Sequence, residues 1–112
     1  MLETNLNRII ENIETLATFN ATPGNGVTRS AYSKEDQQAK EYLINEMKKL
    51  GLTIWEDGFS TLFGRKEGKS KDVPVVMIGS HYNSVVSGGT FDGVAGVSSA
   101  LETIMTGKQL NR

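Results

Sequence analysis

The sequence predicts an α/β fold in which a layered, mixed β-sheet packs against about three helices. Apolar residues recur at helical spacing in residues 3–18, 34–50 and 92–106, which is typical of amphipathic helices that bury one face. Residues 73–78 form the most apolar run of the chain and show no alternation, which is typical of a strand covered on both faces. Helices and strands in this order favour a layered α/β domain.

The first two helices are marked by boundary residues as well as by their apolar stripes. Residues 20–25 contain Pro23-Gly24 and predict a loop after the first helix. Ser33 is suited to cap the second helix, because its hydroxyl can accept a hydrogen bond from the amide three residues on. Gly51 follows that helix and is a typical stop.

A β-hairpin is predicted between the second helix and the apolar run. Residues 52–57 and 59–66 are rich in β-forming side chains. The Asp57-Gly58 pair between them is typical of a tight two-residue turn. The last helix is expected to end at Gly107, since glycine is common just past a helix.

Composition limits the classes of function. A chain of 112 residues fits one domain, and its formal net charge of −1 provides no basic surface for nucleic acid or anionic lipid. No apolar run is long enough to span a membrane. The first residues lack the basic start and apolar stretch of a signal peptide, and there are no cysteines. We therefore expect a cytoplasmic protein whose metal ligands, if any, are nitrogen and oxygen atoms.

Residues 79–96 carry the candidate chemistry. His81 is the only histidine, and it lies three residues past the apolar run. Asp92 lies at or near the start of the last helix, and Gly88-Gly89 between them permits a tight turn. Ligand sites of open α/β sheets gather at the carboxyl ends of strands. Imidazole and carboxylate are both good ligands for zinc or a related divalent ion, so the spacing suggests half of a metal site.

Spacing alone leaves other interpretations open. A lone histidine is more often a structural or surface residue, and an aspartate at a helix start is usually a cap. The glycine pattern is neither a phosphate-binding loop nor a dinucleotide fingerprint, and no nucleophile elbow is present. Arg29 is most simply a solvated surface charge.

Three separated motifs make the sequence resemble the hydantoinase/carbamoylase amidohydrolases, a family that includes N-carbamoyl-amino-acid hydrolases and allantoate amidohydrolases and is related to zinc aminoacylases and carboxypeptidases. They lie in residues 26–36, 62–65 and 79–102 and occur in the family's order. The residues that carry the resemblance include Gly26-Val27-Thr28-Arg29, Leu62-Phe63-Gly64-Arg65, Gly79-Ser80-His81 and Gly88-Gly89-x-Phe91-Asp92-Gly93.

The resemblance implies that residues 1–112 are a single domain, the N-terminal part of a zinc-peptidase-like catalytic domain with two divalent ions, zinc or manganese. His81 would bind one ion and Asp92 would bridge both. Water would then attack a carbamoyl, ureido or amide carbon, with a glutamate as general base. The substrate would be a small molecule.

Two departures from the family pattern set limits on that implication. Asn83 stands where the family has an aspartate behind the metal centre. The chain ends at Arg112, before the family's glutamate pair and remaining histidine ligands. No catalytic set is therefore intact, and the chain alone is expected to be inactive and to bind metal weakly or not at all. Substrate would bind only if the missing part were supplied.

An alternative function remains open from the sequence. The chain could be a non-catalytic remnant of the fold, or a module for binding or assembly. Residues 73–78 have few partners later in the chain, so we expect exposed apolar surface that is covered by self-association into a homo-oligomer.

Overall fold

Three helices and one β-hairpin make up the regular structure of residues 2–110, which are the residues that this computed structural model describes. In chain order, the elements are α1 (Leu6–Ala17), α2 (Lys34–Lys49), β1 (Thr53–Glu56), β2 (Leu62–Arg65) and α3 (Val94–Leu110). This arrangement confirms the predicted α/β class with three helices and a hairpin. The predicted end of the domain at Arg112 lies outside the described residues. No helix in residues 2–110 is both long and apolar enough to cross a membrane.

The helix α1 is shorter than the predicted range of residues 3–18 because a side chain caps its N-terminus. The side chain of Asn5 accepts from the amide of Arg8 at 3.2 Å, which starts the helix at Leu6. Ile13 and Leu16 face inward and are buried. The amphipathic stripe therefore serves the core.

The helix α2 begins where its boundary signals predict. The hydroxyl of Ser33 accepts from the amide of Asp36 at 3.1 Å, and Glu35 and Asp36 place negative charge at the positive end of the helix dipole. Gly51, just after the helix, takes a φ of +74°, a conformation that favours glycine.

One apolar core joins the three helices. Its buried side chains are Ile13, Leu16, Ala39, Leu43, Leu50, Val94 and Leu101. Removing this apolar surface from water is the main force that holds the helices together. The hairpin contributes Leu52 and Leu62, which pack against the edge of the same core.

A charged pair ties α1 to α3 beside the core. Glu102 is 2% exposed and accepts from Nε of Arg8 at 2.9 Å and from Nη2 at 2.7 Å. The backbone amide of Asn5 donates to the same carboxylate at 2.8 Å. The hydrogen bonds from Arg8 hold the pKa of Glu102 below its ordinary value.

The hairpin forms, but the predicted two-residue turn is wrong. β1 and β2 pair antiparallel with Trp55 opposite Phe63, and the two rings stack with centroids 5.2 Å apart. Five residues, 57–61, connect the strands. The carboxylate of Asp57 accepts from the amides of Phe59 and Thr61, each at 2.9 Å, and so organises a wider loop.

The strand predicted at residues 73–78 is not a buried strand in the structure. The segment has no strand partner within residues 2–110, and Val76 and Met77 are 90% and 77% exposed. An apolar run forms a covered strand only where neighbouring strands supply hydrogen bonds and side chains, and the described part of the chain supplies none. The expectation of exposed apolar surface is confirmed.

A cavity of about 1460 Å³ lies between this segment and the core. Residues 73–79 line it together with apolar side chains from the helices and the hairpin, including Leu43, Leu52, Leu62, Leu101 and Ile104. The segment therefore faces apolar side chains across space that no residue of 2–110 fills.

The helix α3 differs from its predicted range at both ends. It begins at Val94 rather than at residue 92, because Gly93 takes a φ of +73°, outside the helical region. It continues through Gly107, which does not adopt the positive φ of a helix-terminating glycine. Asp92 therefore lies two residues before the helix.

We expect the free energy of unfolding to fall as the pH drops below the ordinary glutamate pKa of 4.5. The folded pKa of Glu102 lies below the unfolded value, so its contribution is present above 4.5 and is lost as the pH falls through the folded pKa. In Glu102→Gln this part of the pH dependence should disappear. Urea denaturation of both proteins between about pH 6 and pH 3 measures it.

Glu67→Gln is the matched control for this measurement. Glu67 also pairs with an arginine, Arg65, at 3.1 Å, but both side chains are largely exposed, so its removal should leave the pH dependence unchanged. Parallel stability curves for the original protein and Glu102→Gln would contradict the expectation.

Candidate metal site

The loop between residues 79 and 93 carries the candidate ligands and lies against the start of α3. Ser80 packs on Gly96 so closely that a Cβ at Gly96 would lie 2.6 Å from the Cβ of Ser80. The ring of His81 packs on Gly93 in the same way, and a side chain at Gly93 would overlap the ring. Glycine at these two positions therefore lets the loop approach the helix.

The structure brings His81 and Asp92 together. Nε2 of His81 lies 3.6 Å from Oδ1 of Asp92, and each side chain is about half exposed. Nδ1 of His81 lies 2.9 Å from the main-chain oxygen of Asn83. A carbonyl oxygen only accepts, so Nδ1 carries the proton, and a neutral ring then presents the lone pair of Nε2 toward Asp92.

This geometry fits half of the coordination shell of a divalent ion. Two ligands of a tetrahedral zinc, each about 2.1 Å from the ion, lie about 3.4 Å apart. The observed 3.6 Å between Nε2 and Oδ1 is close to that separation and is longer than a normal hydrogen bond. Ligating histidines usually donate their other ring N–H to a carboxylate, a carbonyl or water, as His81 does here.

A third ligand is not found nearby in the part of the chain that the structure describes. No group of three or more histidine, aspartate or glutamate side chains is placed to hold an ion within residues 2–110. His81 and Asp92 therefore offer only two of the ligands that a metal ion would need.

Asn83 contributes to the site through its main chain. The sequence drew attention to its amide side chain, because the resembling family has an aspartate at that position. In the structure, the group that meets His81 is the carbonyl oxygen of Asn83, which any residue at this position would provide. The hydrogen bond to the imidazole is therefore made by the main chain of Asn83 and not by its side chain.

Arg29 is not the surface charge that the sequence suggested. It is 2% exposed, and its guanidinium donates to the main-chain oxygens of Leu16, Phe19 and Tyr82. Burial lowers its pKa from the ordinary value, although the charge of Asp36 opposes the change. Composition and periodicity gave no sign of this burial, and only the motif at residues 26–36 singled the residue out.

A short pairing between two distant segments closes the base of the loop. Val27 and Gly88 form an antiparallel bridge, with amide-to-carbonyl distances of 2.9 and 2.8 Å. The hydroxyl of Thr28 accepts from the amide of Ser87 at 2.8 Å. The motif near residue 27 and the glycine pair near residue 88 therefore meet in space.

Relatives of this chain are amidohydrolases. An N-carbamoyl-L-amino-acid amidohydrolase from Pseudomonas sp. (strain NS671) is 45% identical over 97 residues, which cover 87% of this chain and 23% of the relative. An allantoate amidohydrolase from Bacillus subtilis (strain 168) is 38% identical over 95 residues, with coverage of 85% and 23%. No family model matches the sequence.

Solved structures agree with the sequence comparison. A hydantoinase/carbamoylase family amidase from Burkholderia ambifaria superposes with a TM-score of 0.92 at 32% identity, over 99% of this chain and 27% of the amidase. The chain thus spans about a quarter of the length of the relatives that it matches. In both sequence and fold, the chain matches the N-terminal portion of amidohydrolases of the hydantoinase/carbamoylase family.

Proposed function

We propose that this chain supplies part of the metal centre of a dinuclear amidohydrolase that cleaves C–N bonds in carbamoyl, ureido or amide substrates. The observation that carries the proposal is the 3.6 Å approach of Nε2 of His81 to Oδ1 of Asp92, with Nδ1 held by a carbonyl. The reaction class is supported by the names of the relatives, which include carbamoyl-amino-acid and allantoate amidohydrolases.

His81 and Asp92 have distinct roles in this proposal. His81 offers the lone pair of Nε2, while its bond to the oxygen of Asn83 keeps the ring from turning. Asp92 offers a carboxylate with two oxygens, which is the ligand type that can bridge two ions. Bound there, zinc or manganese would supply Lewis acidity that polarises the scissile carbonyl and activates water.

We infer that the chain by itself does not hydrolyse such substrates. A catalytic zinc site uses three protein ligands and an open position, and residues 2–110 bring only two candidate ligands together. A small-molecule substrate would then bind only where further ligands and a general base complete the site. The single-domain assignment and the cytoplasmic location stay predictions.

The exposed apolar segment favours a second candidate function, that of an assembly module. Residues 73–78 expose a continuous apolar strip, and such patches usually mark a surface that another polypeptide covers. In this alternative the fold is kept for association rather than for chemistry, and homo-oligomers form through the strip.

Zinc should bind to this chain weakly, with a Kd of about micromolar or higher, because two ligands fill only part of the shell. We expect His81→Ala and Asp92→Asn to remove the binding heat in calorimetric titrations with zinc and with manganese. Asp72→Asn is the control, since Asp72 is also an exposed aspartate but lies outside the loop of residues 79–93.

Unchanged zinc binding in His81→Ala would eliminate the proposed metal role of this residue. Tight, stoichiometric binding that His81→Ala abolishes would instead keep the role and overturn only the expectation of weak affinity. A thermal melt that shifts substantially with a chelator would count against the assembly module.

The isolated chain should release no product from N-carbamoyl amino acids, allantoate or ureidoglycolate above the uncatalysed rate. The physical reason is that residues 2–110 bring only two candidate metal ligands together, whereas a catalytic zinc site uses three. Product release in the presence of zinc or manganese measures it, with His81→Ala as the background control. Turnover that disappears both in that variant and on chelation would show that the chain alone is sufficient.

We expect the chain to self-associate at high concentration through the apolar strip at residues 73–78. Val76→Lys should shift the protein toward monomer in sedimentation velocity, because burying a charge in an apolar interface is costly. Leu6→Lys is the control, since Leu6 is also an exposed apolar residue but lies on α1. A monomer for the unsubstituted chain at all concentrations would refute the homo-oligomer.

A further inference from the structure

We propose that Arg29 is a positioning residue for the metal site, because it holds the two successive peptide units that place the hydrogen-bond acceptor of His81. The inference rests on the proposed function, since the positioned group is the Nε2 of His81 as a metal ligand. Arg29 touches neither His81 nor Asp92 through a hydrogen bond, and it would act on the site through the main chain of residues 82–84.

The guanidinium of Arg29 holds the first of these peptide units. Its Nε donates to the oxygen of Tyr82 at 2.6 Å. Its Nη1 donates to the oxygens of Leu16 at 2.6 Å and Phe19 at 2.9 Å, which lie at the end of α1 and just beyond it. The side chain of Arg29 therefore links that helix end to Tyr82, the residue that follows His81.

The main chain of Arg29 holds the second unit. The amide of Ser84 donates to the oxygen of Arg29 at 2.7 Å. That amide belongs to the same planar peptide as the oxygen of Asn83, and in a trans peptide the N–H and C=O point in opposite directions. With the N–H directed at Arg29, the oxygen of Asn83 points away from it, and it meets Nδ1 of His81 at 2.9 Å.

The hydroxyl of Ser84 reinforces this arrangement. It accepts from the amide of Arg29 at 2.8 Å, so Arg29 and Ser84 are bound to each other in both directions. Fixing the units before and after the α-carbon of Asn83 leaves little freedom for the acceptor oxygen. The tautomer of His81 follows from that oxygen, because a fixed acceptor at Nδ1 leaves Nε2 free for a metal.

The chemistry of the side chain supports a positioning role over simple filling of space. Arg29 reaches the three carbonyls with two separate nitrogens, Nε and Nη1, held in one plane, whereas lysine carries all its donors on a single nitrogen. A buried cation whose hydrogen-bond acceptors among the described residues are neutral carbonyls is costly. An apolar side chain would fill the same volume without that cost but would leave the carbonyls unpaired.

The test compares Arg29→Lys and Arg29→Met with Arg8→Met. Arg8 is the matched control, because it also joins two elements through its guanidinium but binds Glu102 instead of the loop. The first readout is the imidazole ¹⁵N spectrum of the metal-free protein at a pH where the ring is neutral. His81 is the only histidine, so the signals report this ring alone.

We expect the unsubstituted protein and Arg8→Met to show the tautomer with the proton on Nδ1. Both Arg29 variants should shift toward the tautomer with the proton on Nε2. The second readout is zinc affinity by calorimetry, which should fall by about 10–100-fold in the Arg29 variants, as for other groups that orient a ligand. Arg8→Met should keep the original affinity.

The outcomes separate this inference from the proposed function. An Nδ1-protonated ring that Arg29→Lys disturbs, in a protein that binds no zinc, would uphold the positioning role and refute the metal role. An unchanged tautomer in the Arg29 variants, or an equal change in Arg8→Met, would overturn the positioning role. If Arg29→Met does not fold, Arg29→Lys decides, because it keeps the buried charge.

Discussion

The placement of the loop that carries His81 depends on one buried arginine that donates to main-chain oxygens. Through Arg29, the end of α1 is joined to that loop, although the two are far apart in sequence. Side chains can place a ligand to within a few tenths of an ångström only when the backbone beneath them is fixed. The apolar core fixes the helices, and the arginine extends that rigidity to a loop whose own side chains are largely exposed.

His81 and the exposed apolar strip at residues 73–78 line the same cavity. Both lie on residues 73–92, and the cavity between the strip and the core is lined by apolar side chains. Relatives of the chain are about four times as long, so material absent from residues 2–110 is available in them to cover such a surface.

Local signals in the sequence predicted what depends on local contacts. Ser33 caps α2 as expected, because the cap and its amide lie three residues apart. The sequence singled out His81 and Asp92 as possible partners but placed Asp92 at the start of the last helix. In the structure Asp92 precedes that helix, and its 3.6 Å approach to His81 involves Gly93 and the bridge between Val27 and Gly88. The burial of Arg29 was not predictable, since its acceptors come from distant segments.

Asn83 contacts His81 through a main-chain oxygen. The hydrogen bond to the ring and the charge at position 83 therefore come from different groups of the same residue. The oxygen that contacts the imidazole belongs to the main chain, whereas the charge carried by position 83 is determined by its side chain. Under the metal role proposed for His81, exchange between asparagine and aspartate there would change the charge next to the ligand while the main-chain contact to the ring stays available.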